Sequence, residues 1–210
     1  MNRPSKIVCT GRSFRPHAIE LGNPVPTRPI YFLKATTSII GPGDPILLPP
    51  ESAEVHHEAE VAMVVGKPMR HVSPHDALSK ITAWTVLNDV TARDLQREDK
   101  GRFTRAKGFD TFCPLSDVRL PILAWNEVRI QCHVDGECRQ DDALANLLFT
   151  PGEILAEITR CMTLLPGDIV SLGTPAGVST LMAGNLVEVR LVSQTGATLI
   201  SLSNPVQSKR

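Results

Sequence analysis

Short apolar runs separated by Gly- and Pro-rich turns recur along the whole chain. Residues 6–10 (KIVCT) read as a strand stopped at Gly11, and residues 30–34 (IYFLK) as a second. Between them, Pro16 suits the first turn of a short helix and Gly22 its C-terminal cap. Residues 41–44 (GPGD) form a turn before a short strand at 45–48. Residues 55–66 read as one long strand stopped by Gly66 and Pro68. Ser73, Pro74 and Asp76 then open a helix as N-cap, first position and first-turn acid, running to about Ile81. An apolar strand at 83–87 delivers Asn88 and Asp89. After Thr91 the charges thicken as far as a turn at Gly101. Strands at 128–134, 169–172 and 186–192 and a helix from Pro151 to about Met162 finish the pattern.

This order is strand-rich, with two or three short helices and no regular βαβ alternation. It predicts an α+β fold with a mixed or rolled sheet and argues against a Rossmann domain. The 210 residues suit one domain. No apolar run approaches the roughly 18 residues of a membrane span, and the first nine residues lack the apolar core of a signal peptide. A cytoplasmic protein without membrane partners is expected.

Charge narrows the classes further. There are 22 Lys+Arg against 22 Asp+Glu, so no net field is available to grip a phosphate backbone, and nucleic acid is not an expected partner. The five cysteines (Cys9, Cys113, Cys132, Cys138 and Cys161) are odd in number and lack C-x-x-C spacing, which points to reduced thiols. Cys132, His133 and Cys138 are close in sequence, but on a strand alternate residues face opposite ways. G-x-G-x-x-G, Walker A and G-x-S-x-G are absent, and Val61 stands where H-E-x-x-H needs its second His.

Several side chains carry candidate chemistry. Glu58 and Glu60 lie two apart on the expected strand, so both carboxylates share a face opposite the apolar Ala59, Val61, Met63 and Val65. Paired carboxylates repel unless a cation lies between them or one is protonated. Oxygen ligands suit Mg²⁺, Mn²⁺ or Ca²⁺; the alternative is a solvated strand edge. Asp89, at a strand end, is either a third carboxylate of such a site or an N-cap for the segment at Ala92. His17 and Glu20 are three apart on a helical turn, as a general base with its orienting carboxylate or as a surface ion pair. Lys107 is a counter-charge for an oxyanion or a solvated lysine. Thr174, in 172–177 (LGTPAG), presents its hydroxyl to a ligand or sits in an ordinary turn.

Taken together and in order, Gly11-Arg12-Ser13-Phe14, His17-x-x-Glu20, Phe32-Leu33-Lys34, His57-Glu58-Ala59-Glu60, residues 88–96 (NDVTARDLQ), Arg105-Ala106-Lys107, Phe112-Cys113-Pro114-Leu115 and residues 173–178 (GTPAGV) resemble the fumarylacetoacetate hydrolase family. The likeness is to its short single-domain branch of acylpyruvate hydrolases, oxaloacetate decarboxylases and hydroxymuconate-type isomerases. The resemblance implies a mixed, rolled β-sheet in one catalytic domain over 1–210, a homodimer, and Mg²⁺ or Mn²⁺ on Glu58, Glu60 and Asp89. It implies a lid at 13–23 carrying the His17–Glu20 dyad, and Arg93, Gln96, Lys107 and Thr174 around the carboxylate and oxo groups of a 2-oxo or 2,4-dioxo acid. The expected reaction is metal-dependent hydrolysis of an acylpyruvate C–C bond. Decarboxylation or isomerisation on the same site, and a non-catalytic metal-binding dimer, are the alternatives. Departures from the family pattern fall at Phe14, where tyrosine is usual, at Asp142 and Leu144, and at Asn185.

Overall fold

The computed structural model describes residues 3–20, 22 and 24–208; Leu21 and Asn23 of the expected lid and its flank lie outside them. In chain order the elements are β1 (Ile7–Gly11), α1 (Arg15–Glu20), β2 (Ile30–Lys34), β3 (Ile39–Ile40), β4 (Ile46–Leu48), β5 (Val55–His56), β6 (Ala59–Val65), α2 (Pro74–Ala77), β7 (Ile81–Asn88), β8 (Thr91–Ala92), α3 (Arg93–Glu98), α4 (Thr104–Lys107), β9 (Cys113–Pro114), β10 (Val128–Val134), β11 (Glu137–Ala143), α5 (Pro151–Cys161), β12 (Ile169–Ser171), β13 (Leu186–Ser193) and β14 (Thr198–Ser208), with short 3₁₀ turns between some of them. The fold is mixed α+β, as the pattern predicts.

Two five-stranded sheets organise it. The first runs β2-β1-β12-β6-β7 and is mixed, with β1 parallel to β12 and the other pairs antiparallel. The second runs β11-β10-β13-β14-β4 and is antiparallel except for the β14–β4 pair. Val61, Met63 and Val86 of the first sheet meet Ile130, Val189, Leu191 and Leu202 of the second in one core. The first sheet is covered on its other face too, where Ile7, Cys9, Ala62, Leu87 and Ile169 pack with Cys113 and Leu115. Burial on both faces explains why β6 and β7 read as nearly continuous apolar runs. In the second sheet β10 keeps the strict alternation of a sheet with one wet face, and β13 keeps it as far as the register shift at Leu191 and Val192.

The helices are short and obey their caps. The Ser73 hydroxyl accepts from Asp76 N at 3.2 Å. Thr150 and Glu153 form a reciprocal capping box ahead of α5. Ile154, Leu155 and Ile158 turn the buried face of α5 into the core, each stabilising the fold by about 2 kcal/mol. No helix among the described residues is long and apolar enough to cross a membrane.

Three expectations are corrected. The single strand over 55–66 is two strands: β5 pairs with β8 and β6 with β7, so the chain changes partner at His57 and Glu58. The donors freed at that break are capped by His57 N to Ser179 O at 3.3 Å, Glu58 N to Asn88 Oδ1 at 2.8 Å and Ala59 N to Gln140 Oε1 at 3.1 Å. Glu58 therefore sits in the break and not on the strand face with Glu60. The helix expected from Pro74 to about Ile81 stops at Ala77, where a 3₁₀ turn over Leu78–Lys80 leads into β7; the charged run after Thr91, to which the pattern assigns no element, is α3. The chain does not finish at β13, because the 11-residue β14 follows and carries the second sheet across to β4.

Candidate active site

The β6–β7 pairing sets Glu60 opposite Leu87, and the turn after β7 returns Asp89 N to Glu58 O at 2.8 Å. One antiparallel pair thus gathers all three carboxylates. They are buried, and so are three cations around them: Lys34 from the end of β2, Arg93 from the start of α3 and Lys107 from the end of α4. Lys107 Nζ donates to Glu58 Oε2 at 2.7 Å and to Asp89 Oδ2 at 2.6 Å. Arg93 donates to Glu58 Oε1 and, at 2.6 Å, to Gln96 Oε1. Lys34 Nζ lies 2.7 Å from Asp89 Oδ1 and donates to Val90 O at 3.1 Å. Asp89 is therefore no N-cap: Ala92 caps α3 without a side-chain hydrogen bond. Lys107 is not a solvated lysine.

The three carboxylates are not equivalent. Burial raises the Glu58 carboxyl, but Lys107 and Arg93 outweigh it and hold Glu58 well below the usual carboxylate range. Glu60 has no cation partner among the described residues; its one hydrogen bond comes from the Ser171 hydroxyl. Burial and the negative charge of Asp89 push its carboxyl well up. Burial works against the Lys107 ammonium, yet Asp89 and Glu58 outweigh it and raise its basicity.

The donor set fits a hard divalent cation. An under-neutralised Glu60 faces Asp89, whose fully buried Oδ1 meets the Lys34 ammonium at 2.7 Å as an ion pair outside hydrogen-bond geometry. The Cys9 thiol joins them, so that Cys9, Glu60 and Asp89 offer ligand atoms within 4.8 Å of one another. Glu58 is not in that group, and both its oxygens are held by Arg93 and Lys107; burial keeps the Cys9 thiol protonated, so the oxygen donors are those of the carboxylates. Cys113 lies behind it, its thiol pushed up to about 12 by burial.

Above this floor opens a cavity of about 560 Å³. His17 and Glu20 of α1 form one wall, with His17 Nδ1 3.1 Å from Glu20 Oε2. Glu20 Oε1 accepts Gly177 N at 2.9 Å. Burial raises the Glu20 carboxyl, but the His17 and Gly177 hydrogen bonds outweigh it and the net shift is downward. Gly177 has φ +98°, and a Cβ there would meet Arg139 O at 2.0 Å, so this turn can offer its N–H to Glu20 only as glycine. Thr174 from the same turn donates to Ala59 O at 2.9 Å and accepts from Gln140 Nε2 at 2.8 Å.

Eight of the nine residues expected at the site, His17, Glu20, Glu58, Glu60, Arg93, Gln96, Lys107 and Thr174, line this cavity; Asp89 is the exception and meets it through Lys107. Sequence reasoning missed Lys34, Cys9 and Gln140. The buried Gln140 amide accepts from His57 Nδ1 at 3.0 Å and from Ala59 N at 3.1 Å, and donates to Thr174 and to Pro175 O, clasping the 173–177 turn to the strand break. Burial pushes His57 down to about 4, so it serves that clasp as a neutral ring. Lys34 stood within a quoted motif without a role, and Cys9 read as an ordinary buried thiol. Phe14 and Leu144, two of the departures, are core residues that do not line the cavity.

Over residues 6–207 the chain matches the family described as Fumarylacetoacetate (FAA) hydrolase C-terminal. The chain belongs to the fumarylacetoacetate hydrolase family. It is 43% identical over 189 residues to an uncharacterized protein of Methanocaldococcus jannaschii, covering 90% of this chain and 79% of that one. It is 39% identical over 181 residues to the mitochondrial oxaloacetate tautomerase Fahd2a of Rattus norvegicus, covering 85% of this chain and 58% of the rat protein. Among solved structures, the 5-carboxymethyl-2-hydroxymuconate delta-isomerase of Mycobacterium smegmatis superposes with a TM-score of 0.89 at 39% identity, over 99% of this chain and 80% of that one. The two-sheet architecture is therefore the fold of the fumarylacetoacetate hydrolase C-terminal domain.

Proposed function

We propose that this chain is a divalent-metal-dependent enzyme that cleaves the C–C bond of acylpyruvates, 2,4-dioxo acids, to pyruvate and a carboxylic acid. The observation that carries the reading is the convergence on one cavity of a histidine–carboxylate dyad and of Glu60, a buried carboxyl without a cation partner among the described residues, with Asp89 directly behind it. Glu58, Glu60 and Asp89 would hold Mg²⁺ or Mn²⁺. Bound there, the ion would supply Lewis-acid polarisation of the substrate's 2-oxo group.

The protein's own residues do the rest. Glu20 accepts the Nδ1 proton of His17, which leaves the lone pair on Nε2 for a water proton. His17 thereby activates water for attack on the C4 carbonyl. The C3–C4 bond then breaks, its electron pair passes into the enolate of pyruvate, and a proton added at C3 completes the reaction. Lys107, kept cationic by Glu58 and Asp89, supplies positive charge beside the developing oxyanion. The Arg93 Nε donor, buried without a partner, is available to a substrate carboxylate. A homodimer, and closure of the 13–23 segment over ligand, belong to the same proposal.

A second reading, proton transfer at C3 without attack by water, draws support from the names of the rat tautomerase and the mycobacterial isomerase. It uses the same base and the same enolate. An assay of acetylpyruvate, oxaloacetate and a dienedioate with and without Mg²⁺ separates the two. Under the first reading, His17→Ala lowers acetylpyruvate hydrolysis by about 10²–10⁴-fold and leaves calorimetric Mn²⁺ binding intact, whereas Glu60→Ala loses that binding. Parental hydrolysis in His17→Ala would place water activation elsewhere. Enol–keto interconversion without hydrolysis in the parental protein would decide for the second reading.

A further inference from the structure

The charged groups lining the cavity are nearly all committed to one another. Arg93 and Lys107 hold Glu58, Arg97 holds Glu54, and Glu20 holds His17. Two cations on the same lining differ. Arg12 and Lys100 have no ion pair or side-chain hydrogen bond within the described residues, and both line the cavity. Their backbones share a further oddity: Arg12 has φ +57° and Lys100 φ +55°, the left-handed region that side-chain-bearing residues seldom occupy.

The packing joins the two segments that carry these cations. The Phe103 ring, three residues after Lys100, lies against Gly11, the neighbour of Arg12; an added Cβ on Gly11 would be 3.8 Å from Phe103 Cζ and 4.0 Å from Phe32 Cε1. Phe103 stacks on Phe32 with centroids 4.3 Å apart. The Lys107 ammonium stands 4.9 Å from the Phe32 centroid. An aromatic wall thus leads from the buried charges under Lys107 to two uncommitted cations. A 2-oxo acid head that uses Lys107 and Arg93 fills only the inner end of a 560 Å³ cavity.

We infer that Arg12 and Lys100 form a second anion subsite, which selects dicarboxylic 2-oxo acids whose tail carboxylate lies at the far end of an apolar chain running along Phe32 and Phe103. The assignment rests on the 2-oxo acid reading for the head of the substrate. Arg12 supplies a planar fork to the carboxylate and Lys100 a flexible point charge, and neither must first break an internal pair to do so.

Calorimetry on the Mn²⁺-loaded protein tests this with a matched pair that lacks the cleavable 4-oxo group: 2-oxoheptanedioate and 2-oxoheptanoate. The parental protein should bind the diacid about tenfold more tightly, and the ratio should shrink as salt is raised. In the double variant Arg12→Gln, Lys100→Gln the ratio should fall to about two or below. Lys100→Gln alone, on an exposed loop residue, should lower it about threefold and keeps the test valid if the Arg12 change prevents folding. Equal affinities in the parental protein, or an undiminished ratio in the double variant, would overturn the subsite. A loss of both affinities with the ratio preserved would also overturn it, assigning the pair to cavity shape. If Mn²⁺ binds but neither acid does, the 2-oxo acid reading itself fails, and the subsite falls with it by a visibly different result.

Discussion

The two five-stranded sheets share one core and handle polarity in opposite ways. In the second sheet, β10 and β13 alternate buried apolar and wetter residues, and the buried polar side chains on its strands are the neutral Gln140 and Asn204. In the first sheet and the turns leaving it, Lys34, Glu58, Glu60 and Asp89 are buried ionisable groups, with Arg93 and Lys107 packed over them. Covering both faces of a sheet deprives any charge on it of water, so each such charge needs a partner inside the protein. The second sheet supplies packing at no electrostatic cost. The first carries carboxylates whose internal pairing is incomplete, because Glu60 has no cation partner among the described residues.

That contrast can be broken most directly at Lys107. Lys107→Met strips one donor from both Glu58 and Asp89, and the metal-free protein should lose about 3–5 kcal/mol in urea unfolding. A loss under about 1 kcal/mol would mean that these charges are solvated after all. In the second sheet, Ile130→Ala removes a fully buried side chain and should cost about 3 kcal/mol through transfer and cavity effects. Mn²⁺ affinity should stay within about twofold, since no expected ligand lies on that sheet; a larger change would couple the two sheets.

The smallest effect comes from a charge of the first sheet that lies outside the cavity lining. Asp168 accepts from Ser5 Oγ at 2.6 Å, Lys6 N at 3.1 Å, Lys6 Nζ at 2.5 Å and Leu165 N at 2.8 Å. Burial raises its carboxyl, but the Lys6, Ser5 and Leu165 donors outweigh it, and the net shift is below the ordinary value of 3.8. A depressed carboxyl contributes stability that is present above the unfolded value and lost as pH falls through the folded one. The parental urea midpoint should therefore drop below pH 3.8 more steeply than that of Asp168→Asn. Parallel pH curves would show that this carboxylate is no better satisfied folded than unfolded.

What was legible along the chain divides on the same line. Alternation and caps located β10, α5 and the start of α2 to within a residue or two, because each depends on neighbours in sequence. β14 escaped because Pro205 interrupts its pattern; paired with Leu186, the proline is nonetheless accommodated in the sheet. α3 was not located because its dense charges show no apolar period, although Arg93 and Leu95 are buried in it.

By itself the sequence determined the strand-rich α+β class, the eight ordered motifs, and the candidates His17, Glu20, Glu58, Glu60, Asp89, Lys107 and Thr174, while Arg93 and Gln96 came with the family resemblance those motifs carry. Residue type, spacing and motif order are local matters, fixed before any two distant segments meet. Only the tertiary structure decided which charges neutralise which. That Glu58 is claimed by Arg93 and Lys107, that Glu60 is left without a cation, that Cys9 stands beside it and that Arg12 and Lys100 are free all depend on distances between segments up to a hundred residues apart. Coulomb energies in a water-excluded site change steeply with those distances, and no periodicity in the chain records them.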